Sequence, residues 1–156
     1  MAKLYFENVR IGFKNFSGRQ TPYNKKHDRN FVIFLEPSVA EDLENKGLNV
    51  KWPKKLDQPV EEDNRQPYLK VKVNIDGPYP PDVVMIAGEK RQRLDGDSIN
   101  MLDDLYIVEA DVEINTSDYS IEPSPLNPNG LQGTTAYLNR LGVTINTDPF
   151  QEKYGF

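Results

Sequence analysis

Apolar and polar residues alternate with period two over several short stretches, the signature of half-buried β-strands. The alternation is cleanest at 68–75. Tyr68, Lys70, Lys72 and Asn74 share one parity, and Leu69, Val71, Val73 and Ile75 the other. This predicts a strand that is apolar inside and basic outside. Residues 106–114 alternate again, with Tyr106, Val108, Ala110, Val112 and Ile114 expected inward and Glu109, Asp111 and Glu113 outward. A last strand is expected over 134–145, with Tyr137, Asn139, Leu141, Val143 and Ile145 on one parity. Leu4 to Phe16 is rich in β-formers and predicts one strand, bulged near Gly12. Phe31 to Leu35 is a continuous apolar run, expected to be buried on both faces. Asn49–Trp52 and Val83–Ala87 complete the predicted strands.

Two short helices are expected. Ser38-Val39-Ala40-Glu41 has the spacing of a capping box, and Gly47 suits the left-handed residue that ends a helix. Val39 and Leu43 give that helix one narrow apolar stripe. A second helix is predicted from Ser98 to Leu105, with Asp97 or Ser98 as its cap and Asp103 and Asp104 outside. Residues 54–66 are polar and aperiodic and predict an exposed connection. Residues 115–133 predict a long loop or an extended hairpin. The fold class is therefore mainly β. The expected architecture is an OB-fold-like, five-stranded antiparallel barrel with hairpin insertions and one or two short helices. One such domain over 1–145 is expected, followed by a short C-terminal tail, 146–156.

Composition narrows the chemistry. The 156 residues contain no cysteine, which excludes disulfides, thiolate metal sites and cysteine nucleophiles. No run approaches the 18 or more apolar residues of a membrane span, so a cytoplasmic protein is expected. The net charge is −5, but it is unevenly spread. Residues 1–35 carry seven basic and two acidic side chains, and the remainder twelve basic and twenty-two acidic. A basic patch on an acidic body steers a polyanion to one place.

That patch lies in 10–35, RIGFKNFSGRQTPYNKKHDRNFVIFL, expected to be a strand, a basic loop and a second strand. It holds Arg10, Lys14, Arg19, Lys25, Lys26 and Arg29 against Asp28 alone, with Phe16 and Tyr23 among them. Cations that track phosphates, beside rings on which bases stack, are the ingredients of single-strand binding. Phe31 and Phe34, as part of a buried run, are set aside as stacking rings, and Phe13 is grouped with them. Further basic and aromatic candidates are Trp52, with Lys51 beside it, Tyr68, Lys70, Lys72, Arg91, Arg93 and Arg140. Catalysis is not indicated. His27 is the one histidine and has no partner in any hydrolytic motif. Asp95 and Asp97, or Asp103 and Asp104, could hold a hard cation, but Asp97 or Ser98 as a helix cap explains the first group without a metal, and capping is the default reading. No nucleotide-cradling glycine loop occurs, so no cofactor is expected. The competing reading is a non-catalytic structural or protein-interaction domain, such as an assembly or adaptor domain, whose aromatics are core.

The segments FKNFSGRQTPYNKKHDRNFVIFL, PYLKVKVNID, VVMIAGEKRQRLD…INMLDDLYIVEADVEI and AYLNRLGVTINTDPFQEKYGF resemble the tailed-phage single-stranded DNA-binding proteins. The resemblance runs through nearly the whole chain in order. It implies an OB-fold protein that coats single-stranded DNA, with little sequence preference, during replication or recombination in the host cytoplasm. It implies contacts from Arg10, Lys14, Phe16, Arg19, Tyr23, Lys25, Lys26 and Arg29, with the later candidates as weaker ones. Replication or recombination proteins are implied as further partners. RNA binding and oligomeric state are left open. The short tail lacks the glycine-rich linker and strongly acidic tip by which many bacterial single-strand-binding proteins recruit partners.

Overall fold

The computed structural model describes residues 3–20, 28–53, 65–126 and 128–145. Among them, nine strands form: β1 Lys3–Val9, β2 Ile11–Asn15, β3 Asn30–Phe34, β4 Val50–Lys51, β5 Tyr68–Lys72, β6 Asp82–Ala87, β7 Lys90–Leu94, β8 Ile107–Ile121 and β9 Leu131–Ile145. One α-helix, α1, spans Pro37–Asn45, and a 3₁₀ turn spans Ser98–Asp103. The expected tail, 146–156, lies outside the described residues.

The strands pair in the order β1-β8-β9-β5-β3-β2, with β4 added to β5 and the β6–β7 hairpin added to β9. β1 and β2 are separated in sequence by Arg10 alone, yet they end the strand path on opposite sides. The sheet therefore curls round to bring them together. No pairing joins them, so the result is a partly open, OB-like barrel. The single strand expected over Leu4–Phe16 is two strands with different partners: β1 pairs with β8, and β2 with β3. The sheet is mixed rather than purely antiparallel, because β9 runs parallel to both β5 and β6. The long crossovers that lead from β5 and β6 to β9 make this possible, since parallel neighbours cannot be joined by a tight turn.

Alternation sets the core. Leu69, Val71, Val73 and Ile75 are buried, as expected, while Lys70, Lys72 and Asn74 are exposed. Phe31, Ile33 and Leu35 pack inward with Val112, Ile114 and Val143. Phe34 breaks the expected two-sided burial of its run, because it stays partly exposed on the outer face. The helix starts at Pro37 with Glu36 as its cap residue, and no side chain caps it, so the Ser38 box is unused. Proline, with a fixed φ and no N–H to satisfy, suits a first helical position. Gly47 ends the helix with φ +92°, as expected.

Two strands differ from their expected parity because of bulges. β8 and β9 shift register between Ile107 and Glu109, which leaves Tyr106 and Val108 exposed and packs Ile107 on the core. They shift again where Glu113 faces Arg140 but Ile114 faces Leu138, so that Asn139 is an extra residue. Ala136 and Leu138 are therefore buried below the bulge, and Leu141 and Val143 above it. Tyr137 and Asn139 do not share the inward parity of Leu141. Within the expected loop or hairpin, β8 continues to Ile121 and β9 begins at Leu131, so the two strands extend their hairpin, and the Lys90–Arg93 cluster lies in the strand β7.

Asp95 and Asp103, beside the 3₁₀ turn, bind neighbouring backbone and hydroxyl groups. Asp95 Oδ1 accepts hydrogen bonds from the Asp97 and Ser98 amides (3.0 and 2.8 Å) and from Ser98 Oγ (2.9 Å). These bonds, Ser98 first, hold the Asp95 carboxyl below its ordinary pKa, and they give Asp95 the capping role expected of Asp97 or Ser98. Asp103 points inward rather than out. It accepts from the Phe16 amide (2.6 Å), the Ser17 amide (3.1 Å) and Ser17 Oγ (2.7 Å).

Candidate nucleic-acid interface

β3 and β5 pair so that Phe34 stands opposite Tyr68, Val32 opposite Lys70 and Asn30 opposite Lys72. β4 adds Lys51 opposite Tyr68. Alternation puts Tyr68, Lys70 and Lys72 on one outer face, in steps of about 6.6 Å. Aromatic and basic side chains thus follow one another along a single strand.

An aromatic cluster heads this row. The rings of Phe13 and Phe34 are 5.8 Å apart, those of Phe13 and Tyr68 5.5 Å, and those of Phe34 and Tyr68 6.2 Å. The three meet at tilted or edge-on angles, the favoured geometry for aromatic pairs. The guanidinium of Arg10 lies 4.3 Å from the Phe34 ring centroid, a cation–π contact. Two backbone features build the cluster. A Cβ on Gly12 would stand 2.5 Å from the Phe34 ring, so the ring lies where only glycine admits it. Phe13 has φ +45°, within the register shift that separates Gly12 from Asn15. Non-glycine residues adopt positive φ uncommonly. Here the chain turns Phe13 onto the outer face, where it is 67% exposed.

A cavity of about 400 Å³ continues the row, lined by Asn49, Lys51, Lys70, Lys72, Tyr119, Thr134, Thr135 and Ala136. One wall is β4 and β5, and the other is the β8–β9 hairpin. The hairpin is fixed to the body where the Thr134 amide donates to Gly47 O (3.1 Å). Three lysines, hydroxyls and a tyrosine thus face an open groove beside the aromatic cluster.

Several sequence candidates lie elsewhere. Phe16 has no exposed surface and stacks on Phe31, with ring centroids 5.2 Å apart. Its expected role as a stacking ring is corrected, because its ring fills the core. Lys14 reaches inward, where Nζ donates to Leu102 O (2.7 Å) and Leu105 O, and burial lowers its pKa. Arg29 donates to Phe16 O (2.9 Å), Gly96 O (3.0 Å) and Asn100 Oδ1 (3.0 Å), and pairs with Asp76 (3.3 Å). Both cations hold the body together, so they are corrected as free phosphate contacts. Arg19 is exposed, 3.7 Å from the Asp103 carboxylate. Trp52 is partly exposed, but its Nε1 donates to Glu44 Oε2 (2.7 Å), which ties the ring to α1. Arg91, Arg93 and Arg140 stand on the outer face of β7 and β9, where Arg93 pairs with Asp82 and Arg140 with Glu113. Tyr23, Lys25, Lys26 and His27 lie outside the described residues.

The sequence reading sets Phe13 and Phe34 aside as stacking rings and does not single out Tyr119. A signal existed for Phe34, because it has the parity of Val32, opposite to that of Phe31, Ile33 and Leu35. None existed for Phe13, whose orientation depends on a positive φ.

A curled, mainly β barrel with a basic groove and adjoining rings has the architecture of single-strand nucleic-acid binders. Residues 1–155 match the family model described as "Putative phage ssDNA-binding domain", and the chain belongs to this family of phage single-stranded DNA-binding domains. It is similar in fold to the single-stranded DNA-binding protein from bacteriophage Enc34 in complex with ssDNA. The TM-score is 0.51 at 12% identity, over 95% of this chain and 89% of that one. A C-terminal truncation of the Enc34 protein gives a TM-score of 0.51 at 12% identity, over 95% and 88% of the two chains. A further structure of that protein gives 0.51 at 13% identity, over 97% and 86%. No curated protein sequence matches the chain. Among the described residues, no helix is long and apolar enough to cross a membrane.

Proposed function

We propose that the chain coats single-stranded DNA with little sequence preference during phage replication or recombination, in the host cytoplasm and without catalysis. The bound strand follows β5. Its bases stack on Phe13, Phe34 and Tyr68, and its phosphates pair with Arg10, Lys51, Lys70 and Lys72. The observation that carries this reading is the continuity of the aromatic cluster with the three-lysine groove. Stacking tolerates any base, because every base has a π-face. Lysines act on phosphate as point charges, which adds affinity without reading sequence. Tyr119 and the threonines of the β8–β9 hairpin supply the opposite wall.

Titration of labelled oligo-dT with the full chain at several salt concentrations tests the reading. Binding should be tight at low salt and should weaken steeply as salt rises, because phosphate contacts release counterions. Absence of binding at low salt, or binding indifferent to salt, would refute it.

A further inference from the structure

The outer face of β8, β9, β6 and β7 carries a charge pattern that the groove does not use. Its side chains stand in rows across the strands. One row is Asp111, Gly142, Val84 and Arg93. The next is Glu109, Thr144, Ile86 and Arg91. In these two rows acids lie on β8, arginines on β7 and uncharged residues between them, while Arg140 and Asp82 occupy β9 and β6 in the row below. Nothing stands within 4 Å of where a Cβ on Gly142 would be, so the face is open there, beside Val84. Glu109, Asp111, Arg91 and Arg93 are all exposed.

We propose that this face is an interface between two copies of the chain, related by a two-fold axis that runs along the strands between β9 and β6. Rotation about that axis exchanges β8 with β7 and β9 with β6. Asp111 then faces the partner's Arg93, which also pairs with Asp82 of its own chain, and Glu109 faces the partner's Arg91. Val84 comes over the partner's Gly142, where the missing side chain leaves room. In the row below, Arg140 comes opposite the partner's Asp82, since the two are register neighbours on β9 and β6. Each contact is made twice, as an isologous interface requires. The other in-plane two-fold, across the strands, would set the acids of β8 against one another. Sheets that pack face to face lie about 10 Å apart, a gap that an arginine and a carboxylate can span together. Ion pairs at such a contact set orientation more than affinity. With Val84 and Ile86 as its main apolar groups, the dimer is weak and salt-sensitive. The face shares no residue with the groove, so the proposal stands independently of DNA binding.

Sedimentation velocity of the full chain without DNA, over a range of concentrations at low and high salt, tests it. A reversible monomer–dimer equilibrium that weakens with salt is expected. Gly142→Tyr adds bulk to open space and should leave the melting temperature in place while weakening the dimer at least roughly tenfold. Arg91→Glu should do the same, and Arg91→Glu with Glu109→Arg in one chain should restore the dimer. A chain that stays monomeric at every concentration would overturn the proposal. So would a dimer that either single variant leaves intact, or a charge swap that fails to restore it.

Discussion

Phe34 lies over β2 because Gly12 has no side chain to displace it, and Phe13 reaches the same cluster through a positive φ. Phe16, only three residues further on, points the other way and fills the core. These neighbours should respond to truncation in opposite ways. Phe13→Ala or Phe34→Ala should weaken oligo-dT binding by about 1–3 kcal/mol for each base that loses its ring, read as a shift in Kd. Phe13→Ala should barely change thermal stability, because most of that ring is already in water. Phe16→Ala should instead cost about 3–5 kcal/mol in denaturant unfolding, the usual range for a buried phenylalanine, and should leave the Kd of the folded fraction unchanged. The inward role of Phe31 and the outward parity of Phe34 could be read from alternation. The orientation of Phe13 could not, because a left-handed non-glycine residue is imposed by its surroundings and carries no local sequence signal.

The row on β5 shows how far an element can be read from pattern alone. Its apolar-in, basic-out alternation was plain, and the structure keeps it residue for residue. That Lys51 joins Lys70 and Lys72 depends on the pairing of a two-residue strand with β5, which periodicity does not reach. Replacing all three lysines by alanine should flatten the dependence of log K on log salt by about 2, since each phosphate contact on a single strand contributes roughly 0.7. β9 departs from its expected parity for a different reason. Each half alternates properly, and one inserted residue, Asn139, reverses the parity between them. The Glu113 carboxylate fastens that bulge, accepting hydrogen bonds from Arg140 and from Asn139 Nδ2 (2.6 Å). These bonds, Arg140 first, lower the Glu113 pKa. Its contribution is therefore present above the ordinary glutamate value of about 4.3 and is lost as pH falls through the lower folded value. Melting temperatures measured from pH 7 down to pH 3 should show Glu113→Gln less stable than the parent near neutrality, with the gap closing at the acidic end.

At the scale of the whole molecule, one N-terminal segment supplies both ends of the strand path, and its break at Arg10 curls the sheet. The class of fold was legible, because strands and turns are local. The parallel placement of β9 beside β5 and β6 was not, because it depends on long crossovers rather than on neighbouring residues. The charge asymmetry was legible too, but its meaning changes in three dimensions. Lys14 and Arg29 of the basic N-terminal segment are tied into the body, while lysines from the acidic remainder line the groove. The proposed path of single-stranded DNA runs along β5, over the aromatic cluster and past the β8–β9 hairpin. Ultraviolet cross-linking of oligo-dT to the full chain, with the linked residues found by mass spectrometry, tests this most directly. The account predicts cross-links at Phe13, Phe34, Tyr68 and Tyr119. Cross-links confined to the other face of the barrel, at Tyr5 and Tyr106, would contradict it.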